Sequence, residues 1–204
     1  FSQVQLALFV AGSRIAATYV PKAVQAGCVV IDSSAHFRQE VDVPLVVPEV
    51  NAERIADYPL RGVIAMPNSA VIQMAVALKP LYDVAGIRRI SVCTQYAVSG
   101  AGRNAIEALA RQTLDLLNFK PVKPAVFPHQ IAFNVLPQVD VLLDNGYSKE
   151  EMQMVWEMRK MMGDEAIQVN ATAVRVPVFY GHSQAIQVET KTPITAIQAL
   201  SLLR

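Results

Sequence analysis

Two cysteines in 204 residues are too few to build a disulfide framework. Neither Cys28 nor Cys93 stands at metal-ligand spacing from another candidate ligand, and His36 and His129 fall in loop-like stretches with no Cys, Asp or His placed to complete a zinc site. A reducing, cytoplasmic setting follows. Charge is sparse as well: 17 % of residues are charged, 18 basic against 17 acidic, for a net +1. Arg88-Arg89 and Arg159-Lys160 are the only adjacent basic pairs, so there is no electrostatic case for nucleic acid. Long apolar runs are missing too. Pro, Lys or Gln breaks each one within about a dozen residues, short of a membrane span. There is no secretory signal, and Phe1-Ser2-Gln3 has no initiator Met. No internal repeat or low-complexity tract occurs.

What remains is a chain that is 52 % apolar, long enough for one large domain or two small ones. Its first third alternates continuous apolar runs with helical ones. Leu6 to Val10 reads as a strand, Ile15 to Ala26 as a helix closed by Gly27, and Cys28 to Asp32 as a second strand. Pro44 to Val47 and Val63 to Ala65 read as further short strands. Strands that are apolar throughout, rather than alternating, predict a parallel sheet covered on both faces by crossover helices. Ser69 to about Val84 reads as a helix with Gly86 at its end.

The second part has a different texture. Arg89 to Thr94 predicts a strand feeding the loop Ser99-Gly100-Ala101-Gly102. Asn104 to Asn118 is amphipathic, with Ile106, Leu109, Ala110, Thr113, Leu116 and Leu117 on one side. A proline-rich link (Pro121, Pro124, Pro128) leads to Ile131–Val135. Lys149 to Met162 is a helix whose N-terminus carries the capping-box pair Ser148 and Glu151. The methionines of this helix, Met152, Met154, Met158, Met161 and Met162, predict core or dimer packing. Thr172 to Phe179 and Ala185 to Thr190 alternate, the mark of antiparallel strands with one wetter face. The expected fold is α/β: part of a Rossmann-type parallel-sheet domain at 1–67, then an α+β domain with a mixed sheet at 68–204.

Several segments together resemble the aspartate-semialdehyde dehydrogenase family. They are Val41–Asn51, Ala97-Val98-Ser99-Gly100-Ala101-Gly102, Gln130–Val135, and Arg175-Val176-Pro177-Val178-Phe179-Tyr180-Gly181-His182. The resemblance implies a dinucleotide-binding domain followed by a catalytic and dimerisation domain, NADP as cofactor, a homodimer, and a cytoplasmic location. It implies the phosphate-dependent interconversion of aspartate semialdehyde and aspartyl phosphate through a covalent acyl-enzyme. Relative to the family pattern, the Gly-rich pyrophosphate loop is expected before Phe1, and a further stretch after Arg204.

By the same resemblance Ser69 takes the place of the family's cysteine nucleophile. It follows the strand-like 62–66 and opens a helix, where the macrodipole favours negative charge. A thiolate would be activated there; a serine, read on its own, is a helix cap. The resemblance makes His182 the acid/base, Arg175 the clamp on the substrate carboxylate, Arg38 and Lys160 the phosphate-binding pair, and Glu157 a carboxylate of the substrate pocket. Asn68, Ser99, Gly100 and Gly102 correspond to contacts on the nicotinamide side, and Gly12 and Ser13 to a phosphate-side loop. The family's Tyr-Gln order before Ala-Val-Ser-Gly is reversed here to Gln95-Tyr96, which displaces the active-site glutamine. Neighbouring side chains in an extended segment point to opposite faces, so Tyr96 is aimed where the glutamine belongs unless a bulge restores the register. Cys28 reads as core, and Cys93 as a remote candidate for a substitute nucleophile. Two other readings stand beside the enzyme: a catalytically inactive paralogue that keeps fold and dimer surface, and an assembly partner pairing through the Met-rich helix and Ala132-Phe133-Asn134.

Overall fold

The computed structural model describes residues 1–204, and the chain divides into two compact units, each considered by itself. The first comprises Phe1–Arg89, Gln153–Gln168 and Val188–Arg204; the second comprises Ile90–Met152 and Val169–Gln187. No helix is long and apolar enough to cross a membrane.

The first unit is built on a parallel sheet in the order β1 (Leu6–Phe9), β2 (Val29–Asp32), β3 (Val63–Ala65), with Leu6 opposite Val29 and Val30 opposite Val63. α1 (Ser13–Gln25) crosses from β1 to β2 and buries Ala16, Val20 and Ala23, spaced four and three apart along one stripe. Val30, Val63 and Ala65 are buried, as continuous apolarity predicts, but Leu6 and Leu8 on the edge strand are 54 % and 67 % exposed. They share a face that no helix of this chain covers, so the expected double coverage holds for β2 and β3 and not for β1. The strand expected at Pro44–Val47 shrinks to a single parallel bridge between Leu45 and Ala65. Pro44 has no N–H to donate, and Pro48 already starts α2 (Pro48–Asn51), a turn that continues as 3₁₀ helix through Leu60. Cys28 is buried with its thiol 2.9 Å from the Val4 carbonyl, as a core cysteine should be. α3 (Ser69–Ala85) follows β3 and ends at Gly86 with φ 60°.

The second sheet has the order β5 (Gln168–Arg175), β4 (Ile87–Tyr96), β6 (Ser183–Thr190). Its three strands each contribute residues to both units. Arg88 bonds Glu189 while Thr94 bonds Gln184, so β6 runs antiparallel to β4. Arg89 bonds Gln168 while the Tyr96 carbonyl accepts from Val176, so β5 runs parallel to it. The sheet is mixed. α4 (Arg103–Leu117) packs over a cluster of Val98, Ala105, Leu109, Ile131, Ala132 and Leu136. Its inner face is rotated from the expected one: Gln112 is buried and Leu117 is exposed. The Gln112 Oε1 accepts from the N–H groups of Ile131 and Ala132 at 2.9 and 3.2 Å, fastening an otherwise irregular segment to the helix. α5 (Lys149–Met162) starts with the reciprocal capping box: Ser148 N–H to Glu151 and Glu151 N–H to Ser148 Oγ, 2.7 and 3.2 Å. Met154, Met158 and Met161 are buried. α6 (Ala196–Leu202) ends the chain's regular structure.

Candidate functional site

In the first unit, the C-terminal end of β3 delivers Met66-Pro67-Asn68 to the start of α3. The cap of that helix is Asn68 and not Ser69, which is its first residue and exposed. All four polar groups of Asn68 are engaged. Its Oδ1 accepts from Ala70 N–H at 2.8 Å, and its carbonyl from Ile72 N–H at 2.9 Å. Its own N–H donates to Glu157 Oε2 at 2.6 Å, and its Nδ2 to Gln153 Oε1 at 3.3 Å. Glu157 is completely buried; its other oxygen faces Arg38 Nη1 at 3.2 Å. Arg38 in turn donates from Nε to the Met66 carbonyl and from Nη2 to the Ser33 carbonyl, both at 2.8 Å. The ion pair therefore grips the chain on both sides of Pro67.

Arg38, Glu157, Lys160 and Asn68, singled out separately in the sequence, thus form one network behind residue 69. Their bonds differ from a bare anion cradle, however. Lys160 spends its three N–H groups on the carbonyls of Arg38, Glu40 and Val43, at 2.8, 2.6 and 2.9 Å. Burial, and then the nearby Arg54, hold its pKa below the ordinary lysine value. Gln153 was not anticipated, although it stands four residues before Glu157 on the same helical face. Gly12, with φ 83°, and Ser13 sit exposed at the N-terminus of α1, where no side chain caps the helix.

The second unit holds the other candidates. Arg175 at the end of β5 donates from Nη1 to the Ala97 carbonyl at 3.0 Å. Its guanidinium lies 5.6 Å from the ring centres of both Tyr96 and Phe127, a cation between two aromatic faces. It forms no salt bridge, and desolvation lowers its pKa from the ordinary arginine value. His182 accepts at Nδ1 from the Ala97 N–H, 3.1 Å away, and its ring lies 4.8 Å from that of Tyr96. Burial and then the Arg175 charge push its pKa below 6.5. Ser99 and Gly100 lie in the 3₁₀ turn beside them, tied to the 178–179 segment by Ser99 N–H to the Phe179 carbonyl. A Cβ on Gly100 would stand 3.0 Å from His182 Cε1, 3.2 Å from its Nε2 and 3.3 Å from Arg175 Nη1. The close approach of these two candidate side chains therefore favours glycine at this position. Gly102, φ 88°, opens α4.

Gln95 is not brought to this cluster. It is exposed, while Tyr96 is 2 % exposed against Arg175 and His182. The strand keeps its alternation, so it is Tyr96 and not Gln95 that packs against Arg175 and His182. Phe127 and the Ala97 peptide are further members that residue type alone gave no reason to choose. Phe127, His129, Val139, Asp140 and Arg175 line a cavity of about 230 Å³.

Residues 1–58 match the semialdehyde dehydrogenase NAD-binding domain, and residues 78–204 match the semialdehyde dehydrogenase dimerisation domain. The chain belongs to the semialdehyde dehydrogenase family. Among the relatives of this chain is aspartate-semialdehyde dehydrogenase 2 of Vibrio cholerae, 55 % identical over 203 residues, covering all of this chain and 60 % of the relative. The Legionella pneumophila aspartate-semialdehyde dehydrogenase is 56 % identical, again over the whole chain and 58 % of the relative. The crystal structure of Vibrio cholerae aspartate-semialdehyde dehydrogenase II, also solved as a complex with ASA, superposes with a TM-score of 0.98 over 99 % of this chain and 60 % of that one. A Candida albicans structure with NADP, 23 % identical, shares the fold at a TM-score of 0.73. The chain spans about 60 % of the length of these first relatives. Asn68 and Ser69 lie between the two matched segments, while Arg175, His182, Glu157 and Lys160 lie within the second.

Proposed function

We propose that the chain supplies the substrate-binding and acyl-transfer residues of an NADP-dependent aspartate-semialdehyde dehydrogenase working as a cytoplasmic homodimer. The observation that carries this is the likeness of the whole chain to Vibrio cholerae aspartate-semialdehyde dehydrogenase, 55 % identical at a TM-score of 0.98. In this reading residues 1–67 are dinucleotide-binding and 68–204 catalytic and dimerising. Gly12, Ser13, Ser99, Gly100 and Gly102 would hold the cofactor, three of them (Gly12, Ser13 and Gly102) at helix N-termini without side-chain caps, which suit phosphate. Bound there, NADP would supply the hydride acceptor for the oxidation that turns the adduct of the aldehyde with residue 69 into an acyl group.

The protein's share of the work is binding, orientation and activation. Arg175, its guanidinium over the Tyr96 and Phe127 rings, receives the substrate carboxylate. His182 is the acid/base of the reaction. Residue 69, fixed at the start of α3 by the Arg38–Glu157–Asn68 network, attacks the carbonyl carbon and carries the acyl group until phosphate displaces it. Arg38 and Lys160 supply positive charge for that phosphate. Ser69 is the weak member. An alcohol ionises far less readily than a thiol, and an oxygen ester yields less readily to phosphate than a thioester. Two departures at the centre, Ser69 and Gln95-Tyr96, favour an inactive paralogue as the second reading.

The two readings separate in one comparison. Seated in the Vibrio cholerae relative in place of the segment it matches, the chain is assayed for phosphate-dependent NADP reduction with aspartate semialdehyde, beside its Ser69→Cys variant. The expected result is a gain on the order of a thousandfold for cysteine. A variant that stays at background leaves the inactive paralogue standing and ends the enzymatic reading.

A further inference from the structure

We propose that Phe127 is a positioning residue for Arg175, holding its guanidinium in a water-poor setting where a carboxylate binds tightly. Arg175 is buried, has no salt bridge, and spends one hydrogen bond on the protein, from Nη1 to the Ala97 carbonyl at 3.0 Å. A guanidinium has five N–H donors, so most of its capacity is left for a planar anion. Until one arrives, the charge is eased by two rings, those of Tyr96 and Phe127, each 5.6 Å away. Tyr96 belongs to β4 and is fixed by the sheet. Phe127 is not.

It reaches Arg175 from the proline-rich link. Residues 121–129 form no helix or strand, and no hydrogen bond or ion pair fastens them to the rest of the unit. A cavity of about 510 Å³, lined by Glu107, Arg111, Lys123 and Val126 among others, opens between this link and α4. From Lys123 to His129 every residue but Phe127 is exposed. Phe127 alone turns inward, against the cluster of Val98, Leu109 and Ile131 and over the Arg175 charge. These two contacts make different demands. The cluster needs only an apolar side chain, whereas the cation needs a ring with a negative face. Leucine meets the first demand and fails the second. A carboxylate remote from the reacting carbonyl is bound equally in ground and transition states, so the loss falls on KM and spares kcat. The inference rests on the dehydrogenase reading for its substrate; the mounting of Arg175 does not.

The Ser69→Cys protein seated in the Vibrio cholerae relative reads KM and kcat separately. Phe127→Leu is expected to raise KM for aspartate semialdehyde about tenfold, with kcat held within about twofold. Phe127→Tyr keeps the ring and should restore KM, since the cavity of about 230 Å³ beside residue 127 leaves room for the hydroxyl. An unchanged KM in Phe127→Leu overturns the proposal. So does a Phe127→Tyr variant as impaired as the leucine one, which would make the residue a packing contact alone. Should the leucine variant not fold, trifluorophenylalanine at 127 keeps the shape and drains the ring's negative face; KM must again rise, and an unchanged value overturns the proposal. If the Ser69→Cys parent stays at background, the dehydrogenase reading fails and the mounting is tested without it. Succinate is then titrated onto the unmodified chain, followed by the Arg175 Nε–H signal in NMR, assigned by its loss in Arg175→Lys. Binding that weakens in Phe127→Leu supports the proposal; equal binding, or none, overturns it.

Discussion

Gly100 and Glu157 show how much a single residue here depends on others remote in sequence. A methyl group at Gly100 would press on His182 Cε1 at 3.0 Å, tighter than most real Cβ contacts. Gly100→Ala should therefore move His182 or Arg175 and cost about 1–3 kcal/mol, as overpacking generally does. Urea denaturation measures the cost, and a shifted His182 signal in the NMR spectrum identifies the ring as the part that gave way; neither change would mean the contact is soft. Glu157→Gln is the sharper case. Glutamine can still accept from Asn68 N–H, but it leaves Arg38 buried without its countercharge, which should destabilise by about 3–5 kcal/mol. A loss below about 1 kcal/mol would show that the carbonyls of Met66 and Ser33 suffice to hold the guanidinium. The helix start at 68–69 was legible in the sequence, because a strand-like run breaks there into helical periodicity. Which residue caps it was not. Asn and Ser are both good caps, and the choice falls to Glu157, 89 residues away, which seizes the Asn68 N–H.

Among the elements, those with local signals were readable and those fixed by pairing were not. The capping box of α5 is written in four adjacent residues and forms as written. The direction of β5 is not written anywhere nearby, since alternation of period two looks the same in parallel and antiparallel strands. The inner face of α4 misled for a related reason. Apolar periodicity favours Leu117, whereas the structure buries Gln112, because the segment after the proline-rich link needs an acceptor for two backbone N–H groups. Gln112→Leu raises the apolar content of the helix face, yet it should destabilise the protein. Leaving the Ile131 and Ala132 N–H groups unpaired costs about 1–3 kcal/mol apiece, more than the added burial returns. Equilibrium unfolding of the variant checks the sign, and hydrogen exchange at residues 131 and 132 should quicken first. A more stable variant would mean that water satisfies both groups.

For the molecule as a whole, the acid side of the stability profile is the informative one. The His182 pKa lies below its ordinary value of 6.5 in the fold, with burial the first cause and Arg175 the second. Between the folded and ordinary values the unfolded chain binds more protons than the native one, so stability rises with pH across that interval. The contribution is complete above 6.5 and is lost as pH falls through the window below it. Asp164, held below 3.8 chiefly by its hydrogen bond to Lys191, adds a second loss only at still lower pH. The alkaline side is not diagnostic. Lys191 and Tyr82 have raised values and favour the fold less as pH climbs, while Lys160, lowered by burial, does the opposite. The urea midpoint should therefore drop between about pH 8 and about pH 5.5, and His182→Gln should flatten most of that drop. Arg175→Met tests the cause. Removing the cation should raise the His182 pKa towards 6.5 and make the drop smaller, because protonating the ring in the fold then costs less. An unchanged midpoint between the two pH values would show that the fold does not hold this imidazole neutral.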